Sequence, residues 1–492
     1  MMLSILAAIE RVAIQQPQKT AYQTYNASLT YGELWHFSDC IADYIMTHHL
    51  RRQQPIVVYG HMSPLQIAAF LGAVKAGHPY VPVDSSTPSE RLQLILEASK
   101  AGLLFTTEPL QMLTSIPVIA VSDVLESSSL QASPASTRWV QNEEIHYIIY
   151  TSGSTGQPKG VQITANNLAH FVTWMQEHFP LQEEGVFLNQ APYSFDLSVM
   201  DLYPALVGGH TLYAITQQEI ANPKALFDSL AMSNTRVWTS TPSFAKMCLM
   251  NKEWAQKLMP ALDIFLFCGE VLPIAVIKEL MQRFPHATIY NLYGPTETTV
   301  AVSYVKVTKP LIERFEQLPI APISDPNISL LEDGEIVISG PTVSAGYLGA
   351  PELTAKAFPT VAGNRIYQTG DMGYEQDGYL FFLGRKDFQV KLHGYRLEIE
   401  EIEKQVSNLP PVSSCVVVPV YKDKEIVSLS AHIVLREPLT DSAFKMTKQL
   451  KALLSEYLPA YMIPKTFKYM DALPLNPNGK VDRKGLAVME TV

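Results

Sequence analysis

Cysteine is scarce and scattered: four residues in 492, at Cys40, Cys248, Cys268 and Cys415, with no CxxC pair. That spacing offers neither a zinc ribbon nor a disulfide scaffold. Reduced thiols and a cytoplasmic location are the expectation. An excess of positive charge is also missing, since 37 Lys and Arg face 47 Asp and Glu, a net charge of −10. Nucleic acid is therefore not an expected partner, and any anionic ligand must be met by a local basic patch. No apolar run is long enough to span a bilayer, so no membrane insertion is expected. The opening segment MMLSILAAIERVAIQQ has no basic stretch ahead of its apolar part. Leu6, Ile9, Val12 and Ala13 share one helical face, which predicts an amphipathic first helix rather than a signal peptide. A Walker A loop is absent too: no Gly-Lys-Ser/Thr opens a helix in the most glycine- and hydroxyl-rich stretch.

What is present suits a large globular enzyme. Hydrophobic residues make up 47% and charged residues 17% of the chain, which excludes disorder and coiled coil. The length implies two to four domains or subdomains, roughly. Strand-like runs at 55–59 and 80–84 alternate with helix-like runs at 71–77 and from Pro88 onward. Such alternation predicts α/β architecture with mostly parallel sheets. The Ser- and Pro-rich stretch 121–139 reads as a surface linker.

That stretch leads into HYIIYTSGSTGQPKGVQIT, residues 146–164. A buried strand at 147–150 is followed by Thr151, Ser152, Gly153, Ser154, Thr155 and Gly156, then by Lys159 between Pro158 and Gly160. Glycines let backbone N–H groups converge, hydroxyls add donors, and the lysine adds charge. The result is a cradle for polyphosphate. A flexible polar hairpin would fit a Ser/Gly stretch of looser pattern. The order TSGSTGxPKG, however, closely resembles the phosphate loop of the adenylate-forming superfamily of acyl and aminoacyl ligases.

Other segments resemble the same superfamily in the same order, from about Leu29 to Leu486. LTYGEL lies at 29–34 and KAG…YVPVD…PSER at 75–91. At 289–300 an apolar strand runs into Asn291, Leu292, Tyr293, Gly294, Pro295, Thr296, Glu297 and, two threonines later, Val300. The resemblance implies that 291–296 hold ATP: Tyr293 offers a ring face to adenine and Thr296 a hydroxyl to phosphate. Glu297 would offer a hard oxygen to Mg²⁺. Asp371, in YQTGD, would accept the ribose hydroxyls, and Arg385, in GRKDFQVK, would contact ribose or phosphate. Lys386 and Asp387 would form a hinge.

Beyond that hinge the pattern changes to a small α+β domain. Ile399, Ile402 and Val406 mark a helix entered through Glu398, Glu400 and Glu401, acids suited to a helix N-terminus. Strand-like runs at 415–420 and 426–435 and a helix at 442–458 follow. The tail carries NPNGKVDR, a turn with Lys480 at its tip. A lone tip lysine is ordinarily solvated. In this context it resembles the family's catalytic lysine, which contacts both ATP and substrate. The implied fold is a large N-terminal adenylation core, 1–385, and a small mobile α+β lid, 386–492.

Substrate class rests on Asp196, in YSFDLS, a carboxylate in a mostly apolar neighbourhood. Locally it reads better as a helix N-cap, with Ser198 and Asp201 as alternative caps. The resemblance is to the amino-acid-activating branch, in which this aspartate grips the α-amino group. Fatty or aryl acids have no ammonium to bind. The implied pocket residues Leu197, Met200, Cys268, Leu292 and Val300 are mostly bulky, which suits a small side chain. No GGxS carrier segment and no HHxxxD motif occurs in the chain, so a phosphopantetheinylated carrier protein is expected to be met in trans. The branch this most resembles activates D-alanine for such a carrier, supplying D-alanylation of lipoteichoic acid, and a monomer is expected. Chirality rests wholly on the resemblance. Glycine, L-alanine or serine as substrate, or a non-catalytic nucleotide-binding relative, are the alternatives. Retention of Lys480, Glu297 and Asp371 argues against the last. Lys445, Lys448 and Lys451 step along the last long helix and would suit an acidic carrier, though a solvated helix face accounts for them better.

Overall fold

The alternation of strands and helices builds two largely parallel sheets. We describe a computed structural model covering all residues except 1–2, 129, 131–132, 154–157, 182–183, 362, 423–424, 440–441, 475–480 and 491–492. Contacts divide the chain into two compact units. The first comprises Met1–Ser85, Ser99–Tyr150 and Gly160–Gly384. The second comprises Ser86–Ala98, Thr151–Lys159 and Arg385–Val492.

In the first unit an eight-stranded sheet places Thr288–Tyr293, Ile264–Phe267, Thr235–Ser240, Val186–Asn189, Thr211–Ala214 and Thr20–Gln23 side by side and parallel. Antiparallel strands close its two edges. A seven-stranded sheet has Tyr80–Asp84, Ile56–Gly60 and Leu103–Thr106 parallel near its centre. Every residue of Ile56–Gly60 and Tyr80–Asp84 is buried. This is why these strands read as unbroken apolar runs rather than alternating ones. A third sheet, of six strands, is antiparallel in the pairs Glu335–Ser339 with Asn364–Gln376 and with Ile328–Leu330.

Helix entries follow local chemistry. In LTYGEL, Thr30 accepts from the Glu33 N–H while Glu33 returns a carboxylate to the Thr30 N–H. Such reciprocal capping stabilises a helix start by about 1 kcal/mol. Helix Tyr31–Thr47 packs on Pro64–Lys75 across a buried ion pair. Lys75 Nζ lies 2.7 Å from Asp39, 2.6 Å from Ser38 Oγ and 3.1 Å from the Trp35 ring centre. The first helix, Ile5–Gln15, buries Leu6, Ile9, Val12 and Ala13 as its pattern requires. The stretch 121–139 is not simply a linker: Val121–Ser127 is a helix that buries Val121 and Val124, and Ser136–Arg138 is a 3-10 turn. An i, i+3 pair of valines is enough to anchor one short helix, despite the serines around it. Among the described residues no helix is long and apolar enough to cross a membrane.

The second unit has its own core. Strands Val412–Lys422, Glu425–Leu435 and Thr466–Tyr469 form its sheet. Ile402 and Val406 of helix Ile399–Ser407, and Leu450 and Leu454 of Ala443–Leu454, pack with Ala431 and Ile433. The latter helix ends at Leu454, short of the expected 458, where a turn buries Leu458 instead.

Candidate active site

Strand Thr288–Tyr293 delivers Asn291, Leu292 and Tyr293 to its C-terminal end, where ligands of parallel α/β sheets bind. Asn291 is spent on structure, its Nδ2 donating to Pro319 O at 2.9 Å. Gly294 permits a close crossing, since a Cβ there would lie 2.5 Å from Ala301 Cα. Pro295 then leads into the 3-10 turn Thr296–Thr298, which buries Thr296 and Glu297. The Glu297 carboxylate is wholly buried and accepts from the Tyr347 hydroxyl at 2.9 Å, while its backbone oxygen accepts from Ser344 N. The next two residues, Thr299 and Val300, have φ of 61° and 72°. For β-branched side chains this costs about 1–3 kcal/mol each. A 2.7 Å bond from Thr299 Oγ1 to Thr342 O helps hold the turn.

That turn points Val300 O at Cys268 Sγ, 4.0 Å away, at the end of strand Ile264–Phe267. Met200, Cys268, Leu292 and Val300 belong to one buried cluster, with Leu197 packed against it. Of the five expected wall residues, Cys268 and Val300 meet directly, and the others lie in or against the same large core. Asp196 opens the 3-10 turn Asp196–Ser198 and is half-buried. The N-cap position of the following helix, Val199–Gly208, is Ser198, whose hydroxyl instead donates to Phe195 O at 2.6 Å. None of Asp196, Ser198 and Asp201 serves as that helix's side-chain cap. Asp201 is wholly buried, and burial pushes its carboxyl well above the usual carboxylate range, against the hydrogen bond it accepts from Asn189 Nδ2 at 3.3 Å. Burial, then Tyr80 and Asp196, raise the Tyr147 hydroxyl well above its ordinary value.

Asp371 lies in strand Asn364–Gln376, 6% exposed, and its Oδ2 accepts from the Tyr293 hydroxyl at 2.6 Å. In the second unit, Arg385 grips Asp387 with two 2.7 Å bonds. There too lie the described parts of the expected phosphate loop. Thr151 ends strand Ile145–Thr151, its buried hydroxyl without a hydrogen-bond partner. Ser152 Oγ donates to Arg396 O at 2.9 Å, and the Gly153 N–H to Glu401 Oε2 at 3.3 Å. Lys159 Nζ lies 3.2 Å from Glu398 Oε1, and Arg91 pairs with Glu401 at 2.6 Å. Glu398 and Glu401 thus do more than complement a helix terminus. Ser154, Thr155, Gly156 and Lys480 lie outside the described residues. Lys445 and Lys448 are exposed, and Lys451 donates to Lys465 O at 2.8 Å.

Glu297 fits a Mg²⁺ ligand: it is a buried carboxylate held by the Tyr347 hydroxyl. Among the described residues no group of three or more His, Cys, Asp or Glu could hold a metal by itself. Mg²⁺ is commonly held by one or two carboxylates with phosphate oxygens completing the shell. Tyr347 escaped sequence reasoning because it meets Glu297 only through the pairing of Gly346–Tyr347 with 161–162.

Parallel-centred sheets, a glycine- and hydroxyl-rich loop with its lysine, and the buried acids Glu297 and Asp371 are the marks of a nucleotide-using α/β enzyme. Comparison with known proteins sharpens this. Residues 9–348 match the model of the AMP-binding enzyme family, and 401–480 that of the AMP-binding enzyme C-terminal domain. The chain belongs to the AMP-binding enzyme family. It is 46% identical over 504 residues to the D-alanine–D-alanyl carrier protein ligase of Bacillus licheniformis, covering 100% of both chains. It is 49% identical over 499 residues to the ligase of the same name from Bacillus thuringiensis, covering 98% of this chain and 99% of the other. In fold it resembles a Vibrio cholerae adenylation domain in complex with glycyl-adenosine-5'-phosphate, with TM-score 0.84, 23% identity and coverage of 99% and 97%. It also resembles a double mutant of o-succinylbenzoate CoA synthetase from Bacillus subtilis, with TM-score 0.83, 20% identity and coverage of 97% and 98%.

Proposed function

We propose that this enzyme activates D-alanine with ATP and passes the D-alanyl group to the phosphopantetheine thiol of a separate carrier protein. The observation that carries the reading is the end-to-end similarity to the two Bacillus ligases. The site is consistent with it. Asp196 would take the substrate ammonium, and the mostly bulky Leu197, Met200, Cys268, Leu292 and Val300 would admit only a small side chain. A carboxylate oxygen of D-alanine attacks the α-phosphorus, a P–O bond forms, and the bond to the β-phosphate breaks, releasing pyrophosphate. The carrier thiol then attacks the acyl carbon, loses its proton, and expels AMP.

Catalysis of the first step is positioning and charge neutralisation. Thr151, Ser152, Gly153, Ser154, Thr155, Gly156 and Lys159 would hold the leaving pyrophosphate, and Thr296 an α-phosphate oxygen. The strand 291–295 would seat the adenosine, with Tyr293 against adenine. Asp371 would take the ribose hydroxyls and Arg385 ribose or phosphate. Lys480 would bridge the substrate carboxylate and the α-phosphate. Glu297 would hold Mg²⁺, which offsets phosphate charge when bound. Residues 386–492 would form the lid carrying Lys480, hinged at Lys386–Asp387. The enzyme would work as a cytoplasmic monomer, supplying D-alanine for lipoteichoic acid.

Amino-acid-dependent ATP–pyrophosphate exchange tests this, with D-alanine, L-alanine, glycine, D-serine and a short fatty acid compared. Exchange should be strongest with D-alanine and fall about 100-fold or more in Lys480→Ala. Preference for another amino acid would refute the D-alanine assignment, and exchange undiminished in Lys480→Ala would refute the lysine's role.

A further inference from the structure

Opposite a single residue, Ile336, strand Asn364–Gln376 carries three. The register pairs Glu335 with Met372 and Val337 with Gln368, so Thr369, Gly370 and Asp371 bulge out between them. Bulges beside active sites re-aim a side chain, and here the side chain is Asp371. The bulge is pinned from within. Thr369 Oγ1 donates to Ile336 O at 2.7 Å and accepts from Asp371 N at 2.9 Å. Gly370, with φ of +72°, turns its N–H onto Glu335 Oε1 at 2.8 Å. Glu335 itself is 2% exposed. A buried carboxylate on a neighbouring strand is costly unless it accepts such donors. From the other side the Tyr293 hydroxyl donates to Asp371 Oδ2.

We propose that Glu335 and the Tyr293 hydroxyl are positioning residues, which together fix the rotation of the Asp371 carboxylate so that it meets both vicinal hydroxyls of a ribose. Glu335 acts through the backbone of Gly370, and Tyr293 through its phenol edge, leaving the ring face for adenine. The inference rests on the reading of Asp371 as the ribose acceptor. A carboxylate free to rotate would still accept one hydroxyl but would lose the paired geometry. The pair therefore governs discrimination between ribose and deoxyribose rather than affinity for the base or for the amino acid.

The test is calorimetric binding of ATP, 2′-deoxy-ATP and 3′-deoxy-ATP to the full chain. That readout does not depend on which amino acid is activated. Wild type should bind each deoxynucleotide about tenfold or more weakly than ATP. Tyr293→Phe and Glu335→Ala should cut that ratio severalfold, and Glu335→Gln, which keeps an acceptor for Gly370 N–H, should restore it. Tyr293→Phe keeps the ring and removes one oxygen, so it serves even if Glu335→Ala fails to fold. Asp371→Ala separates the two readings. If it leaves the ratio at the wild-type value, Asp371 is not the ribose acceptor and both readings fall. If it abolishes the ratio while Tyr293→Phe and any folded Glu335→Ala keep it, the positioning roles alone are overturned.

Discussion

His146 is the second residue of the strand Ile145–Thr151, which leads into the expected phosphate loop, and it is 1% exposed. Its Nε2 lies 3.1 Å from the Tyr203 hydroxyl, which in turn meets the Tyr80 hydroxyl at 2.7 Å. Its Nδ1 has no hydrogen-bond partner. Burial lowers its pKa from 6.5 to about 3, so the fold holds it neutral. The unfolded chain binds the proton more readily, so stability is fully present above pH 6.5 and is lost as pH falls from there toward 3. Linkage between those two values gives a loss of about 2 kcal/mol between pH 8 and pH 5. For a unit of this size that is roughly 3 °C in melting temperature. His146→Gln keeps a polar group beside Tyr203 but cannot titrate. Thermal melts of both proteins at pH 8 and pH 5 isolate the effect, because His210, also held neutral by burial, contributes equally to each. The variant should be less sensitive to acid by that amount. An equal drop in both proteins would refute the assignment of the acid sensitivity to His146.

Tyr347→Phe removes the hydroxyl that donates to the Glu297 carboxylate and should raise the Mg²⁺ needed for half-maximal pyrophosphate exchange by about tenfold. A magnesium titration with an unchanged midpoint would count against Glu297 as the ligand. Lys75→Met strands the Asp39 carboxylate in the core and should cost about 3–5 kcal/mol, measured by urea unfolding. Adding Asp39→Leu should recover most of that loss, and a double variant no better than the single one would contradict the ion-pair account.

Much of the molecule was legible because its signals are local. The bounds of Tyr80–Asp84 match the apolar run at 80–84, since a strand buried on both faces must be apolar throughout. The five expected pocket walls and Asp196 lie on segments whose motifs are contiguous in the chain. What escaped depends on pairing between distant segments. The bulge at 369–371 exists only against Glu335–Ser339, and no feature of YQTGD alone discloses it. Tyr347 and Glu335 act on Glu297 and Gly370 from 50 and 35 residues away. Glu398 and Glu401 read correctly as acids at a helix start, yet a helical pattern says nothing of the lysine and N–H they accept from.

Those last contacts bear on how tightly a nucleotide can be held. The donors of the described phosphate loop face carboxylates and a carbonyl rather than water alone. Seating a polyphosphate there would substitute one set of anions for another, and only the difference between them would register as affinity. A triphosphate, with its dense charge, would have to outcompete those carboxylates, while a ligand with one phosphate would have less advantage. A loop of this kind would grade its occupants by charge, holding the fuel and loosening its grip once the charge has been carried away.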